Sequence, residues 1–304
     1  MIRTQLKLFP DKIKKEIKKS KSFIIRKSSS LHFKEWNESI GLMTKNFSTS
    51  DRKYYAGMTD GDGHLSLLKQ NKIYDRFVVS LGLRHDHAQP ILKLAEIFDL
   101  TIRKRIYLDK ARENNQPILI IDLSGIKAKL FLFSIYPYLL EKKEKARAIL
   151  IKLKCPEEHL PEERQFSFEY LAGYTDAEGT VVFKLTHEKT KTGNITSCYK
   201  MRYELTNNDN AHLQFLKKNL IDLGFDHFRK DYIDNYEKEK KEGRKGANPE
   251  NWKPTTHVFL GGTPSQLSKF YKNVEPFILI KHKKDNMLAT IKYNEIITMR
   301  NVAR

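Results

Sequence analysis

The chain has 304 residues, 39% of them apolar and 11% aromatic, so it can bury a substantial core and suits two small domains better than one. Its 56 Lys and Arg against 37 Asp and Glu give a formal net charge of +19, which indicates a polyanionic partner and favours nucleic acid over an anionic membrane surface. No apolar run approaches the roughly 20 residues of a membrane-spanning helix, and two cysteines without a CxxC pair exclude a disulfide framework and argue against structural zinc.

These features predict an intracellular protein that does not bind membranes, located in a prokaryotic cytoplasm or in a mitochondrion or chloroplast. Residues 1–50 form a predicted basic N-terminal extension, with twelve Lys or Arg against four acidic residues and a helix from Asp11 to about Ser22. A solvated basic arm is one interpretation of this extension. An organellar transit peptide is the other, although such peptides use Arg rather than Lys and contain few acids.

A ten-residue stretch occurs twice in the chain. It reads YYAGMTDGDG at 54–63 and YLAGYTDAEG at 170–179, with six identical positions and an offset of 116 residues. An offset of about one small domain predicts a duplicated architecture with one copy in each half.

After each copy of the motif, the spacing of apolar residues changes in the same order between the periods typical of strands and of helices. In the first half these periods predict strands at 64–69 and 76–83, a helix at 88–98, strands at 101–108 and 117–123, and helices at 126–139 and 143–153. In the second half they predict strands at 180–186 and 197–206, a helix at 211–223, strands at 228–234 and 256–260, and helices at 265–274 and 283–298. The same order in both halves predicts α+β units with antiparallel sheets.

The predicted boundaries place the first domain at 51–154 and the second at 166–304. The linker, 155–165, includes the Pro-bounded acidic segment CPEEHLP. The Lys-rich loop from Glu237 to Pro254 is long enough to be functional or disordered.

Small residues at the third and fourth positions of each copy predict a close contact between two helices. Ala56 and Gly57 in one helix would meet Ala172 and Gly173 in the other at a pseudo-twofold axis. At the end of the first helix, Gly61 and Gly63 are expected to give a left-handed or strained exit into the next strand.

This helix contact would bring the acidic ends of the two copies together. Asp62 and Glu178 would then lie beside two helix C-termini, which is unfavourable unless a cation is present. Oxygen ligands alone favour Mg²⁺, Mn²⁺ or Ca²⁺. A single such motif is usually a helix cap with exposed acids, but two aligned copies favour a metal site for phosphodiester hydrolysis.

A second repeat lies near the end of each half, at Tyr136–Lys142 and Glu275–Lys281. In each, a Lys follows a Pro by five positions. One instance would be an ordinary solvated lysine, and the matched pair favours a functional pair, Lys142 and Lys281.

With these repeats the chain resembles the LAGLIDADG homing endonucleases in their single-chain, two-motif form, over about residues 50–300. The resemblance implies two pseudo-twofold-related αββαββα units whose four-stranded antiparallel sheets form a DNA-binding saddle. It further implies a monomeric, site-specific double-strand DNA endonuclease that acts across the minor groove of a long target and leaves short 3′ overhangs. The termini lack the residues that intein splicing needs, which favours an intron-encoded or free-standing enzyme.

The resemblance also implies roles for individual residues. Asp62 and Glu178 would bind the metal, Mg²⁺ with Mn²⁺ or Ca²⁺ able to substitute in binding, and the carbonyls of Gly61 and Ala177 would join them. Lys142 and Lys281 would lie near the scissile phosphates. The polar catalytic residue near the end of the second strand would be His85 in the first half and Asn207 in the second, with an ordinary surface histidine as the alternative for His85.

One face of each sheet is expected to contact DNA, since side chains alternate along a strand. The candidates are Ser66, Leu68, Arg76, Val78, Ser80, Arg103 and Arg105 in the first half and Val182, Lys184, Lys200, Arg202, Glu204, His227 and Arg229 in the second. Arginines could read guanine edges, and the lysines of the long loop and the N-terminal extension would contact phosphates.

Two alternatives use the same fold without requiring cleavage. An RNA maturase would bind its own group I intron RNA and assist splicing, with or without DNA cleavage. A transcription regulator would normally add a helix-turn-helix module, which residues 1–50 do not convincingly contain. The paired acids favour cleavage, because a pure binder has no need of them.

Overall fold

The computed structural model describes residues 47–70, 74–105, 117–153, 155, 157, 160, 165–189, 193, 195–233 and 254–302. All of them belong to one compact unit, Asn46–Arg304. The predictions for residues 1–46, for most of the linker and for nearly all of the 237–254 loop lie outside the described residues, and the domain boundaries stay predictions.

Each half contains the same series of elements. The first comprises α1 (Thr49–Asp62), β1 (His64–Gln70), β2 (Tyr74–Arg84), α2 (Gln89–Phe98), β3 (Ile102–Arg105), β4 (Ile118–Ser124), α3 (Gly125–Ile135) and α4 (Lys143–Lys152). The second comprises α5 (Phe168–Glu178), β5 (Gly179–Lys189), β6 (Ile195–Asn207), α6 (Asn210–Asp222), β7 (Tyr232–Ile233), β8 (Thr256–Leu260), α7 (Pro264–Val274) and α8 (Lys281–Val302). None of the helices in the described part of the chain is long and apolar enough to cross a membrane.

The strands form two four-stranded sheets, in the orders β1-β2-β4-β3 and β5-β6-β8-β7. Every pairing within them is antiparallel, so the predicted fold class is confirmed. The prediction of a continuous strand at 228–234 is wrong in extent. Within that range, Phe228 forms an isolated bridge with Leu260, and Tyr232 and Ile233 form the short strand β7. The ladder is irregular there, with the Arg229 N–H donating to the Phe259 carbonyl and the Gly261 N–H to that of His227.

One face of each sheet is buried beneath the helices. In the first sheet the buried side chains alternate along the strands, with Val79 and Leu81 in β2 and Ile121 and Leu123 in β4. The intervening side chains lie on the opposite face of the pleat. In the first sheet this second face is less buried and carries Ile118 and Ile120 as well as polar residues such as Asp122.

Serine caps fix the starts of both motif helices. The Ser48 hydroxyl accepts from the Asp51 N–H at 3.1 Å, and the Ser48 N–H donates to the Asp51 carboxylate at 3.3 Å. At α5, Ser167 accepts from the Tyr170 N–H at 3.1 Å. These bonds satisfy amides that a helix start leaves unpaired.

The predicted left-handed exit from α1 is wrong. The helix continues to Asp62, and Gly63 has φ −74°, which is extended backbone. Glycine is needed at 63 for space, because a Cβ there would lie 2.6 Å from the Thr59 Cα. Asp62 consequently projects from the last turn of the helix.

Helices α1 and α5 pack with their backbones in contact. A Cβ on Gly57 would overlap the Tyr170 carbonyl oxygen, and one on Gly173 would overlap that of Tyr54. Tyr54 also donates its hydroxyl to Asp176 at 2.6 Å, and Tyr170 donates to Asp60 at 2.7 Å. Two reciprocal buried hydrogen bonds therefore link the halves beside the glycine contact.

Candidate active site

The C-terminal ends of α1 and α5 lie side by side. A Cβ on Gly61 would contact the Ala177 Cβ and would lie 3.1 Å from the Glu178 Cγ. The structure thus brings together the two acid-bearing turns that the sequence motif predicts as a pair.

Asp62 and Glu178 are carboxylates that the lysines of the site influence only through their charge, without a direct contact among the described residues. Desolvation raises the pKa of Asp62, although its side chain is open to solvent, while Lys283 and Lys142 oppose that shift. Desolvation and then the charge of Asp62 raise the pKa of Glu178. Neither carboxylate makes a hydrogen bond or an ion pair with any described residue. Two such acids at helix C-termini form an anionic site that suits a hard divalent cation.

The protein itself supplies only part of a coordination shell. Within the described ranges no group of three or more His, Cys, Asp or Glu side chains could hold a metal ion. Mg²⁺ commonly binds one or two carboxylates and completes its shell with water and substrate phosphates. The donor set therefore fits Mg²⁺ with a phosphate substrate better than it fits a closed structural site.

Lys142 caps the end of α1. Its ammonium donates to the carbonyls of Thr59 at 2.8 Å, Asp60 at 2.6 Å and Gly61 at 3.0 Å. Desolvation lowers the pKa of Lys142, while Glu141 and Asp60 oppose the shift. The Gly61 carbonyl, a predicted metal ligand, thus already accepts from a lysine.

In the second half, Lys283 takes the place expected for Lys281. The Lys281 side chain is 76% exposed and pairs with Asp285 on the surface at 2.6 Å. The buried Lys283 ammonium donates to the carbonyls of Thr175 at 2.7 Å and Asp176 at 2.9 Å. The sequence repeat misses Lys283 because it follows its proline by seven positions, whereas Lys142 follows by five.

Replacing each of these lysines by methionine separates the two assignments. For the DNA cleavage that the sequence motif implies, we expect Lys283→Met to lower the rate by about 10²-fold, because it removes a buried positive charge beside both acids. Lys281→Met should leave the rate within about twofold, since it loses only an exposed ion pair. Single-turnover rates of both variants, with melting curves to check folding, provide the measurement. The opposite ranking would restore Lys281 to the site.

The two polar candidates at the strand ends have different surroundings. His85 is exposed in a short 3₁₀ turn. Its backbone N–H donates to the Pro117 carbonyl at 2.7 Å. Asn207 lies on the same face of β6 as the buried Tyr203 and Leu205, which is the face toward the helices. Its side-chain amide donates to the Tyr174 hydroxyl at 2.6 Å. Neither side chain bonds to Asp62 or Glu178 among the described contacts, and Asn207 instead holds Tyr174 and the Glu141 carboxylate.

Thr206 is a residue that the sequence prediction missed. Its hydroxyl donates to the carbonyl of Glu178 at 3.0 Å. It lies on the outer face of β6, in alternation with Arg202 and Glu204, so the period of two could have identified it.

In the first sheet, the predicted DNA-contact positions share one face. Ser66 pairs with Val78 and Leu68 with Arg76, although Val78 is buried. Two residues further along β2 on the same face, the Ser80 hydroxyl donates to the Asp122 carboxylate at 2.7 Å. Arg103 forms an ion pair with the same carboxylate. Arg105 pairs with Ile118 in the β3-β4 ladder. Asp122 was not predicted, and it offsets part of the positive charge of this face.

The second sheet contains a similar arrangement. Val182 pairs with Arg202 and Lys184 with Lys200, and Arg202 binds the buried Glu204 at 3.0 Å. His227 and Arg229 are exposed in the irregular segment before β7. The strand candidates therefore occupy outer-face positions in the two ladders, whereas the His227 ring contacts the Gln266 amide at the start of α7.

The fold and site define a two-unit α+β protein with paired acids at the ends of its central helices. No protein-family sequence model matches the chain. No curated protein sequence matches it significantly.

The solved structures that resemble it in fold include two LAGLIDADG enzymes bound to DNA. The LAGLIDADG meganuclease I-AabMI, bound to uncleaved DNA, has a TM-score of 0.52 at 13% identity, over 82% of this chain and 92% of that one. The LAGLIDADG homing endonuclease I-GzeII, in complex with its DNA target, has a TM-score of 0.50 at 12% identity, over 82% and 91%. The chain therefore has the fold of the LAGLIDADG meganucleases.

Proposed function

We propose that the protein is a site-specific double-strand DNA endonuclease that uses Mg²⁺. The observation that carries the proposal is the meeting of Asp62 and Glu178, two carboxylates without a partner among the described residues, beside the ammonium groups of Lys142 and Lys283. A shared fold with DNA-bound meganucleases supports it.

The roles of the residues follow from their chemistry. Asp62 and Glu178 would hold the cation, and when bound it supplies an activated water and charge stabilisation at the leaving oxygen. Lys142 and Lys283 hold the ends of the two helices and add positive charge where a phosphate would lie. Both motif helices belong to one chain, so a monomer suffices for cutting both strands.

A pair of lysines supports a polyanionic partner. Lys184 and Lys200 lie directly opposite each other on the outer face of β5 and β6, and both are exposed. Like charges in such a pair repel each other, and a bound phosphate relieves the repulsion. Arg76, Arg103 and Arg202 on these outer faces would read guanine edges, Arg103 and Arg202 while held by Asp122 and Glu204. Two sheets end to end would cover about two turns of duplex at roughly 10 base pairs per turn.

The test is to incubate the full chain with a randomised duplex library in Mg²⁺ and to sequence the cut ends. We expect cleavage of both strands at one long sequence, short 3′ overhangs, and complete loss of cutting with a chelator. The same library in Ca²⁺ measures binding separately. Specific binding without cutting in Mg²⁺ or Mn²⁺ would contradict the enzyme and favour a binder such as an intron RNA maturase.

A further inference from the structure

A hydrogen-bond bridge joins the two halves next to Lys142. The Asn207 amide of the second half donates to Glu141 of the first half at 2.8 Å and to the Tyr174 hydroxyl at 2.6 Å. Glu141 directly precedes Lys142, which caps α1 at the candidate site. The bridge therefore connects a strand end and a motif helix of one half to the lysine of the other.

The second half has no equivalent of Glu141. The N–H groups of Leu140 and Glu141 donate to Asp60, at 2.7 and 3.0 Å. In the other half, those of Leu279 and Ile280 donate to Asp176, at 2.8 and 3.2 Å. Ile280 thus occupies the position of Glu141 and is a fully buried apolar residue.

Glu141 and Lys142 influence each other electrostatically. Desolvation raises the pKa of Glu141 to about 7, with Asp60 and Asp209 adding to the shift and Lys142 and the Asn207 hydrogen bond opposing it. After desolvation, Glu141 is the largest influence on the pKa of Lys142, and it favours the charged ammonium. Two tyrosines with raised pKa values, Tyr170 and Tyr174, also face Glu141 and stay neutral near pH 7. The His212 ring packs against the Tyr174 ring, with 5.0 Å between the ring centroids.

We propose that Glu141 is a positioning residue that acts through Lys142 on only one of the two half-sites, so that the two DNA strands are cut with different pH dependence. This proposal rests on the endonuclease function proposed above. When Glu141 is neutral, the full charge of Lys142 is available to the substrate phosphate. When Glu141 is ionised, it offsets that charge. The strand served by the Lys142 half-site should therefore be cut more slowly, relative to the other, as pH rises through about 7.

The test uses a target duplex whose strands carry different fluorophores, cut by the full chain between pH 6 and pH 8. In the wild type we expect the ratio of the two strand-cutting rates to change by about two- to fivefold, as for a partly exposed charge pair. In Glu141→Gln the ratio should be constant, because glutamine keeps an acceptor for Asn207 but cannot ionise. Asp285→Asn, which removes an exposed carboxylate bonded to Lys281, serves as the matched control and should retain the wild-type profile.

Thermal unfolding provides a readout that does not depend on cleavage. A carboxyl whose folded pKa is about 7 and whose unfolded value is 4.5 makes the protein less stable as pH rises between those values. We expect the melting temperature of the wild type to fall as pH rises over this range. In Glu141→Gln the part of that fall caused by Glu141 should be absent. An unfolding profile unchanged by Glu141→Gln would overturn the assigned environment of Glu141.

The failures of the two proposals are distinguishable. A wild type that cuts no DNA would refute the endonuclease, and the strand-specific role with it, whatever the unfolding shows. If the wild type cuts DNA and the ratio of its two strand-cutting rates depends on pH in the same way in Glu141→Gln, only the role of Glu141 is overturned.

Discussion

Replacing both site acids, Asp62→Asn with Glu178→Gln, should abolish metal-dependent cleavage while the protein stays folded. We expect a loss of at least about 10³-fold in the cleavage rate, since neutral amides hold a divalent cation far more weakly than carboxylates. Stability should be unchanged or higher. The wild-type carboxylates are desolvated, Asp62 adds to the raised pKa of Glu178, and helix C-termini disfavour negative charge.

Each single variant and a control complete this experiment. Asp62→Asn and Glu178→Gln are measured separately with strand-specific labels, because each acid belongs to a different motif helix. Asp285→Asn removes a surface acid and should cut at the wild-type rate. Duplex binding in Ca²⁺ and melting curves distinguish lost chemistry from lost folding. Cutting that persists in the double variant would show that other residues hold the metal.

Much of the fold could be predicted from the sequence because two signals agree within each half. The repeated ten-residue motif locates both central helices, and the change from a period near 3.6 to a period of 2 locates the strands. The prediction failed where local geometry overrides pattern. Phe228 and Arg229 have strand-like composition, yet their backbone bonds with Phe259 and Leu260 form an irregular edge in which only two residues of β7 pair.

The candidate site could be predicted only in part. Asp62 and Glu178 lie together because each is fixed to a helix end that the motif itself specifies. Lysines reach the site through long side chains, so their spacing to a proline says little about where the ammonium lies. Lys283 and Lys142 consequently reach similar carbonyls from different positions. The bridge from Asn207 to Glu141 depends on tertiary contact between residues 66 positions apart.

The contact between the motif helices should be the most sensitive point for stability. We expect Gly57→Ala, and likewise Gly173→Ala, to lower the free energy of unfolding by roughly 3 kcal/mol or more, through overpacking and strain on buried hydrogen bonds. The added methyl group would overlap a carbonyl oxygen of the partner helix. Backbone atoms cannot move aside as a side chain can, so the helices must separate, and the bonds from Tyr54 to Asp176 and from Tyr170 to Asp60 would be strained.

The sign of the effect is diagnostic, because Gly→Ala inside an unconstrained helix stabilises by about 1 kcal/mol. Gly82→Ala is the matched control: its Cβ would meet neighbours no closer than 3.5 Å, which is ordinary contact. Denaturant unfolding with unchanged slope measures all three variants. A Gly57→Ala protein as stable as wild type would mean that the backbones do not touch. If they do touch, the same separation moves Asp62 away from Glu178, and any variant that still folds should also lose cleavage.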